Sequence, residues 1–404
     1  MKAVNKNNKK VFVAMSGGVD SSVAALLLKK QGYEAVGVFM RCYNIDGCAE
    51  RDSEDARRVA EKLKIPFYVW DFESDYKKKV VEYMVKGYKK GITPNPDVMC
   101  NKEIKFGLFL EKALKMGADY VATGHYVKIS SQKIFSKTGH KFFPAKNFGL
   151  DSRSDGPHFA GDQAHRSSET FFRKHSENKS IYRLSIAKDL NKDQSYFLWT
   201  LTQKQLKNCL FPIGDYLKSE VREMAKKAGL PTAEKKDSQG ICFIGKVSLE
   251  DFLKQYIPER KGDVLDISGK KIGEHKGAHF YTIGQRHGLG IGGFEKPYYV
   301  TDKNIKKNII VIAEGDDNSA FYKNKINIVN VNFINSITDY QLPIIIFARV
   351  RYRQPLAKAK LYKIKNNYEI IFEEPQKFIA IGQSAVFYSK KGEMLGGGII
   401  DKAF

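Results

Sequence analysis

The sequence predicts an α/β protein: a doubly wound parallel-sheet domain, then a small mixed domain, then a C-terminal antiparallel β-barrel. Three observations carry that expectation. From Val11 short apolar runs alternate with helical patterns; a polar, aperiodic stretch interrupts them between about 130 and 180; from about Lys325 strand-like segments dominate. The domains they delimit run over 1–247, 248–322 and 323–404, and 404 residues at roughly 150 per domain also give two or three.

VFVAM reads as a first strand, Ser21 to Lys30 as a helix and EAVGVFM as a second strand. Ser53 to Lys64 is a second helix before FYVWDF, and Ile104 to Met116 a third before ADYVATGHY. This β-α-β-α order implies a parallel sheet with helices on both faces, and ligands of such sheets sit beyond the carboxyl ends of the strands. After Ile129 the residues to about 180 show neither helix nor strand period, so they read as a long flexible insert with no assigned chemistry. Helical patterns resume in DQSYFLWTLTQKQLKNCLF and in YLKSEVREMAKKAGL, the second stopped by Gly229 and Pro231. NKINIVNVNF, PIIIFARVRYR, LAKAKLYKI, YEIIFEE and QSAVFY, separated by Asn, Pro, Gly and Lys turns, read as the strands of a small antiparallel barrel or sandwich, the barrel being the expectation adopted.

Composition narrows the function. A net charge of +23, from 68 Lys+Arg against 45 Asp+Glu, favours a polyanionic partner, nucleic acid first and an anionic membrane surface second. Five cysteines, an odd number scattered along the chain, argue against a secreted disulfide framework and for a reducing, cytoplasmic setting. The basic start followed by VFVAM imitates a signal peptide, but Ser16, Gly17, Gly18 and Asp20 interrupt it, and no apolar stretch approaches the ~18 residues of a membrane span.

The string SGGVDSS lies between the first strand and the first helix. Gly17 and Gly18 let the backbone curl around an anion, whose charge then meets backbone N–H groups and the helix amino end. Ser16, Ser21 and Ser22 add hydroxyl donors, and Asp20 either holds Mg²⁺ or caps the helix. No GK[ST] follows, so this is not a Walker loop. It resembles the pyrophosphate loop of the ATP pyrophosphatases, whose fold is adenine nucleotide alpha hydrolase-like. That resemblance implies cleavage of ATP to AMP and pyrophosphate, with Ala14, Met15, Ser16, Gly17, Gly18, Val19, Asp20 and Ser21 around the nucleotide.

TPNPDVMCNKEIKF places Cys100 near a helix amino end with Lys102 and Lys105 close in sequence, a setting that favours a thiolate. DSQGICFIG sets Cys242 between glycines, and ATGHY places His125 after a strand. Together these motifs resemble the bacterial tRNA 2-thiouridylases of the MnmA type. The likeness continues through LNKDQSYFLW, FPIGDYLKSEVREMAKKAGLPTAEKKDSQGICF, YTIGQRHGLGIGG, VRYRQP and GQSAVFY, nearly the whole chain apart from the insert.

The resemblance implies that ATP adenylates O2 of the wobble uridine, U34, and that persulfide sulfur on Cys242 replaces it. Cys100 is then the nucleophilic partner, either releasing sulfide and leaving a transient Cys100–Cys242 disulfide or engaging the reaction otherwise. The sulfur would come from a donor protein, a sulfur relay or a cysteine desulfurase. Cys42 and Cys48, spaced C-x₅-C, give weak support for zinc and are taken with Cys209 as structural. An iron–sulfur cluster on Cys100, Cys242 and a third cysteine is the lower-ranked alternative, since clusters usually use closer-set thiolates.

In ARVRYRQP, Arg349, Arg351 and Arg353 fall at period two, so they line one strand face, either tracking phosphates or blunting a solvated edge. The resemblance favours tRNA, at Arg351 and Tyr352. It also implies that Asn95, Pro96 and Asp97 meet the target base, that His125, Lys192, Asp193, Gln194 and Gln383 touch the anticodon arm, and that Met40 and Gly124 flank adenosine. Two rivals stand beside this reading. A small-molecule adenylating ligase would turn over ATP without tRNA; a tRNA-binding protein without catalysis would release no pyrophosphate.

Overall fold

The computed structural model describes residues 9–42, 47–134, 179–236, 247–291, 296–335 and 342–404. Cys242 and residues 135–178 of the expected insert lie outside them. Residues 131–134 and 179–181 fall in a unit separate from the rest of the described chain.

Strand β1 (Lys10–Ala14) shows how the sheet forms. Period two sends Phe12 and Ala14 into one apolar cluster and Val11 and Val13 into another, so the strand is buried on both faces. It sits centrally in a five-stranded, wholly parallel sheet of order β3-β2-β1-β4-β7, with β2 Glu34–Arg41, β3 Phe67–Asp71, β4 Tyr120–Thr123 and β7 Cys209–Leu210. Helices α1 (Val19–Lys30) and α2 (Cys48–Leu63) cover one face through Val23, Ala25, Ala56 and Val59. Val80, Met84, Ile104 and Phe109, on the helical stretches 73–89 and 96–115, cover the other. The expected doubly wound sheet is therefore present.

Three local expectations change. The helix expected from Ile104 begins at Pro96, because Asn95 caps it, accepting from Val98 N–H at 3.2 Å, and proline is pre-set for the first helical position. The stretch 73–89, not read as helical, carries Val80, Met84 and Tyr88 at helical spacing on its buried side. The helix expected over DQSYFLWTLTQKQLKNCLF shrinks to single turns at Ser195–Phe197 and Gln203–Leu206 followed by β7. There Tyr196, Leu198, Trp199 and Leu201 are all buried, a pattern no single helix face provides.

Strands β5 (Lys128–Ile134) and β6 (Lys179–Ser185) form a two-stranded sheet. The middle of the chain folds a four-stranded mixed sheet of order β10-β11-β8-β9, with β8 Gly262–Asp266, β9 Lys271–His275, β10 Tyr298–Asn304 and β11 Ile309–Glu314. Only its β11–β8 pair is parallel. The C-terminal part is a closed barrel of order β12-β15-β14-β13-β16-β17. Its strands are β12 Tyr322–Phe333, β13 Ile344–Arg349, β14 Ala357–Ile364, β15 Asn367–Lys377, β16 Ser384–Tyr388 and β17 Met394–Ala403. Among the described residues no helix is long and apolar enough to cross a membrane.

Candidate functional site: a phosphate loop and a cleft beside the barrel

The loop leaves β1 at Ala14 and enters α1 at Val19, at the carboxyl edge of the sheet, where β1 and β4 flank the switch in strand order. Gly17 has φ of 70°, and a Cβ there would lie 2.2 Å from the Asp52 carbonyl oxygen, so only glycine fits between the loop and α2. Hydroxyls brace the turn. Ser16 N–H donates to Ser21 Oγ at 3.1 Å, while Ser21 and Ser22 hydroxyls donate to the Gly18 carbonyl at 3.2 and 2.7 Å. Behind it, Gly124 at the end of β4 presses so close that a Cβ would sit 2.6 Å from Ser21 N. Met40 lies at the carboxyl end of β2. The nucleotide residues expected from sequence, Ala14 to Ser21 with Met40 and Gly124, thus gather on one sheet edge. The first-turn N–H groups of α1, which have no acceptors within a helix, and a glycine cradle fit an oligophosphate.

Asp20 corrects one alternative. The cap position is Gly18 and no side chain caps α1. Asp20 instead receives Lys218 Nζ on both oxygens, at 2.7 and 2.8 Å, and the Tyr126 hydroxyl at 2.8 Å. Nearby, Lys235 pairs with Asp52 and Asp55 of α2 at 2.7 and 2.6 Å. Lys218, Tyr126 and Lys235 were not picked out by sequence reasoning; the one signal was a lysine opening the helix KSEVRE inside a motif already noted.

Cys100 is buried one turn inside the helix that Asn95 caps. Lys102, expected beside it, is half-exposed and paired with Glu103 at 3.4 Å. Lys105 bears on Asp97 and His125. Burial raises the Asp97 pKa, opposed by the positive Lys105; burial pushes His125 well below the usual imidazole value, and Lys105 adds to that. His125 is buried, shares a 2.7 Å hydrogen bond with Thr123 Oγ1 and lies against Phe106.

The amino end of this helix meets the barrel. Asn95 Nδ2 donates to Gln383 Oε1 at 3.4 Å, and Gln383 Nε2 donates to the Thr93 and Pro94 carbonyls at 3.2 and 3.3 Å. The Tyr196 hydroxyl donates to the Ser384 carbonyl at 2.9 Å. A cleft of about 290 Å³ opens beside them, lined by Thr282, Arg351, Tyr352 and Gln383, with Phe197 packed 4.5 Å from Tyr352, ring centre to ring centre. Asn95, Gln383, Arg351 and Tyr352 therefore come together. Pro96 is buried at the helix start, and Lys192 is half-buried.

The arginine row is not a strand face. β13 ends at Arg349, and Arg353, at φ of 65°, lies in a turn. Arg349 is buried, donates through Nη2 to Asp193 Oδ2 and lies 4.9 Å from the Tyr388 ring centre. Asp193, expected at the RNA surface, is also buried and accepts from Ala187 N–H, Ser195 N–H and the Ser195 hydroxyl. These two form an interior ion pair that ties the chain around Gln194 to the barrel. Gln194 is held in turn by Tyr126, whose N–H donates to its side-chain oxygen at 3.0 Å. Arg351 donates to the Ile283 carbonyl and faces the cleft.

Among the described residues no group of three or more His, Cys, Asp or Glu could hold a metal ion. Burial drives the Cys209 thiol far up in pKa, which suits a structural residue.

A glycine-serine loop opening a helix at the switch point of a parallel sheet defines an α/β protein of the HUP nucleotide-binding class. Residues 9–246 match the family described as tRNA methyl transferase HUP domain, 250–314 its PRC-barrel domain, and 323–400 the aminomethyltransferase beta-barrel domain. Over its whole length the chain is 42% identical to the tRNA-specific 2-thiouridylase MnmA of Streptococcus pyogenes serotype M2, covering 98% of this chain and 96% of that protein. It is also 42% identical to the protein of the same name from Bacillus licheniformis, covering 100% and 97%. The chain belongs to the MnmA family of tRNA-specific 2-thiouridylases. Among solved structures it aligns with the U34-tRNA thiolase NcsA of Methanococcus maripaludis at 17% identity over 64% of this chain and 70% of that one, with a TM-score of 0.34.

Proposed function

We propose that this protein is the enzyme that thiolates tRNA at C2 of the wobble uridine, U34, spending one ATP as AMP and pyrophosphate. The observation that carries the reading is the junction of Asn95 with Gln383, which sets the start of the Cys100 helix against the Arg351–Tyr352 cleft on the barrel. A uridine turned out of the anticodon loop would stack on the Tyr352 and Phe197 rings, and Arg351 would meet its phosphate. The family descriptions speak of methyl transfer, but the full-length relatives are thiouridylases, and the cysteines suit sulfur chemistry.

In the first half-reaction O2 of the uridine attacks the α-phosphorus, and pyrophosphate leaves against the loop from Ser16 to Ser21. Asp20 would be the carboxylate that holds Mg²⁺ there, and the ion would offset phosphate charge. In the second, the terminal sulfur of a Cys242 persulfide attacks C2, and AMP departs with O2. Cys100 thiolate then attacks Cys242 Sγ, the S–S electron pair goes to the sulfur on C2, and 2-thiouridine is released. The resulting Cys100–Cys242 disulfide returns to two thiols through an external dithiol. In the alternative order Cys100 releases hydrosulfide first, and that ion attacks C2. A cysteine desulfurase or a sulfur-relay protein recharges Cys242, and the reaction belongs in the cytoplasm with its tRNA.

Mass analysis of tRNA nucleosides from cells with and without the gene tests this. Loss of 2-thiouridine is expected; an unchanged content overturns it. ATP turnover that ignores tRNA would favour a small-molecule ligase instead.

A further inference from the structure

We infer that Phe378 is a positioning residue for Arg351: its ring, kept in a strained backbone setting, presents the guanidinium to the cleft, where a tRNA phosphate beside the turned-out uridine is its partner. The inference rests on the reading above.

Arg351 lines the cleft and is half-buried. Among the described residues its guanidinium has two partners, the Ile283 carbonyl and the Phe378 ring, whose centre lies 5.8 Å from the guanidinium carbon. Neither is a carboxylate, and burial lowers the Arg351 pKa, opposed by Tyr196. A desolvated cation with N–H groups to spare on the wall of a cleft is set for an anion from outside the chain. Lys377, whose ammonium lies 5.2 Å from the same ring centre, differs because Asp317 pairs with it at 3.6 Å. Phe378 follows β15 at φ of 55°, a left-handed setting that strains an aromatic residue. Asparagine or glycine would meet that φ more easily, but neither offers a flat face for a planar guanidinium. The surroundings hold the ring in place. The Phe378 N–H donates to the Phe321 carbonyl at 2.8 Å, and the Tyr299 and Phe321 ring centres lie 5.2 and 4.8 Å away. On a further side is Gly284, where a Cβ would come within 2.6 Å of the ring. The middle sheet and the barrel thus fix one aromatic face under Arg351, and the N–H edges of the guanidinium stay available to a phosphate.

Binding of an unmodified tRNA transcript with uridine at position 34 to the full chain, measured over a salt series, tests this through a double-mutant cycle. Phe378→Leu keeps apolar bulk but removes the aromatic face, and should weaken binding about three- to tenfold, the range of one partly buried cation–π contact. The loss should fall on KM for tRNA rather than on kcat. Phe378→Tyr should restore most of the affinity. Arg351→Met should lose about one unit of salt slope, and in that background Phe378→Leu should have no further effect. Should Phe378→Leu not fold, Phe378→Asn, which adopts this φ with less strain, takes its place in the cycle with the same expectation. The proposal is overturned if removing the ring weakens binding by the same factor with and without Arg351, since Phe378 then only packs the junction. Wild-type affinity in Phe378→Leu overturns it as well. A wild-type chain that does not bind the transcript would refute the tRNA reading itself, whereas an additive cycle refutes only the role of Phe378.

Discussion

Replacing Arg349 by methionine should damage the fold rather than the RNA surface. Asp193 would keep its hydrogen bonds from Ala187 N–H, at 3.0 Å, and the Ser195 hydroxyl, at 2.9 Å, but its charge would be left alone with 1% of its side chain exposed. Breaking one partner out of a buried pair costs about 3–5 kcal/mol. At a urea slope of about 2 kcal/mol/M that lowers the unfolding midpoint by roughly 2 M. Trp199, whose indole N–H donates to Ser384 Oγ at 3.0 Å beside the barrel, is a fluorescent reporter at that junction. The double variant Arg349→Met/Asp193→Asn should recover more than half of the loss, because no unpaired charge remains. Arg353→Met, at an exposed turn, should change stability by less than about 0.5 kcal/mol and instead flatten the salt dependence of tRNA binding. The reasoning is refuted if Arg349→Met unfolds like the wild type while losing about one unit of that salt slope.

Two further outcomes follow from the same geometry. Gly17→Ala would force a side chain into a φ of 70° and within 2.2 Å of the Asp52 carbonyl, so it should cost about 1–3 kcal/mol and abolish ATP binding; calorimetric ATP affinity equal to wild type would contradict the cradle. His125 has a folded pKa well below 6.5, its ordinary value, because burial disfavours the imidazolium. The folded state therefore binds fewer protons than the unfolded chain, and the stability this gives is complete above about pH 6.5 and declines as pH falls. Urea midpoints between pH 7.5 and 5 should drop less in His125→Gln than in the wild type, and parallel curves would refute the assignment.

The parallel sheet is legible in the chain because VFVAM and EAVGVFM are short, apolar and alternate with amphipathic helices. SGGVDSS is legible because loop, hydroxyls and helix start lie in one string. The hidden features depend on distant partners. Asp20 meets Tyr126 and Lys218 across 106 and 198 residues, and Asp193 meets Arg349 across 156. Period two makes Arg349 look like its neighbours, yet the strand stops there and the burial of Asp193 decides its fate. β17 escapes a propensity reading because Gly396, Gly397 and Gly398 weaken the strand signal. Those glycines are needed for close approach: a Cβ at Gly397 would lie 2.7 Å from the Trp199 ring. The helical stretch over 73–89 was within reach, since its apolar positions keep helical spacing between the lysines.

The central claim is that activation and sulfur transfer use separate residues, and one experiment reads both: tRNA-dependent pyrophosphate release together with the 2-thiouridine content of the same tRNA. Cys242→Ser should still release pyrophosphate when given tRNA and ATP, yet form no 2-thiouridine, because a serine hydroxyl carries no persulfide. Cys100→Ser should fail at the same late stage, and Asp20→Ala should stop both readings. Normal thiolation by Cys242→Ser would contradict the account and send the sulfur to the activated base by another route.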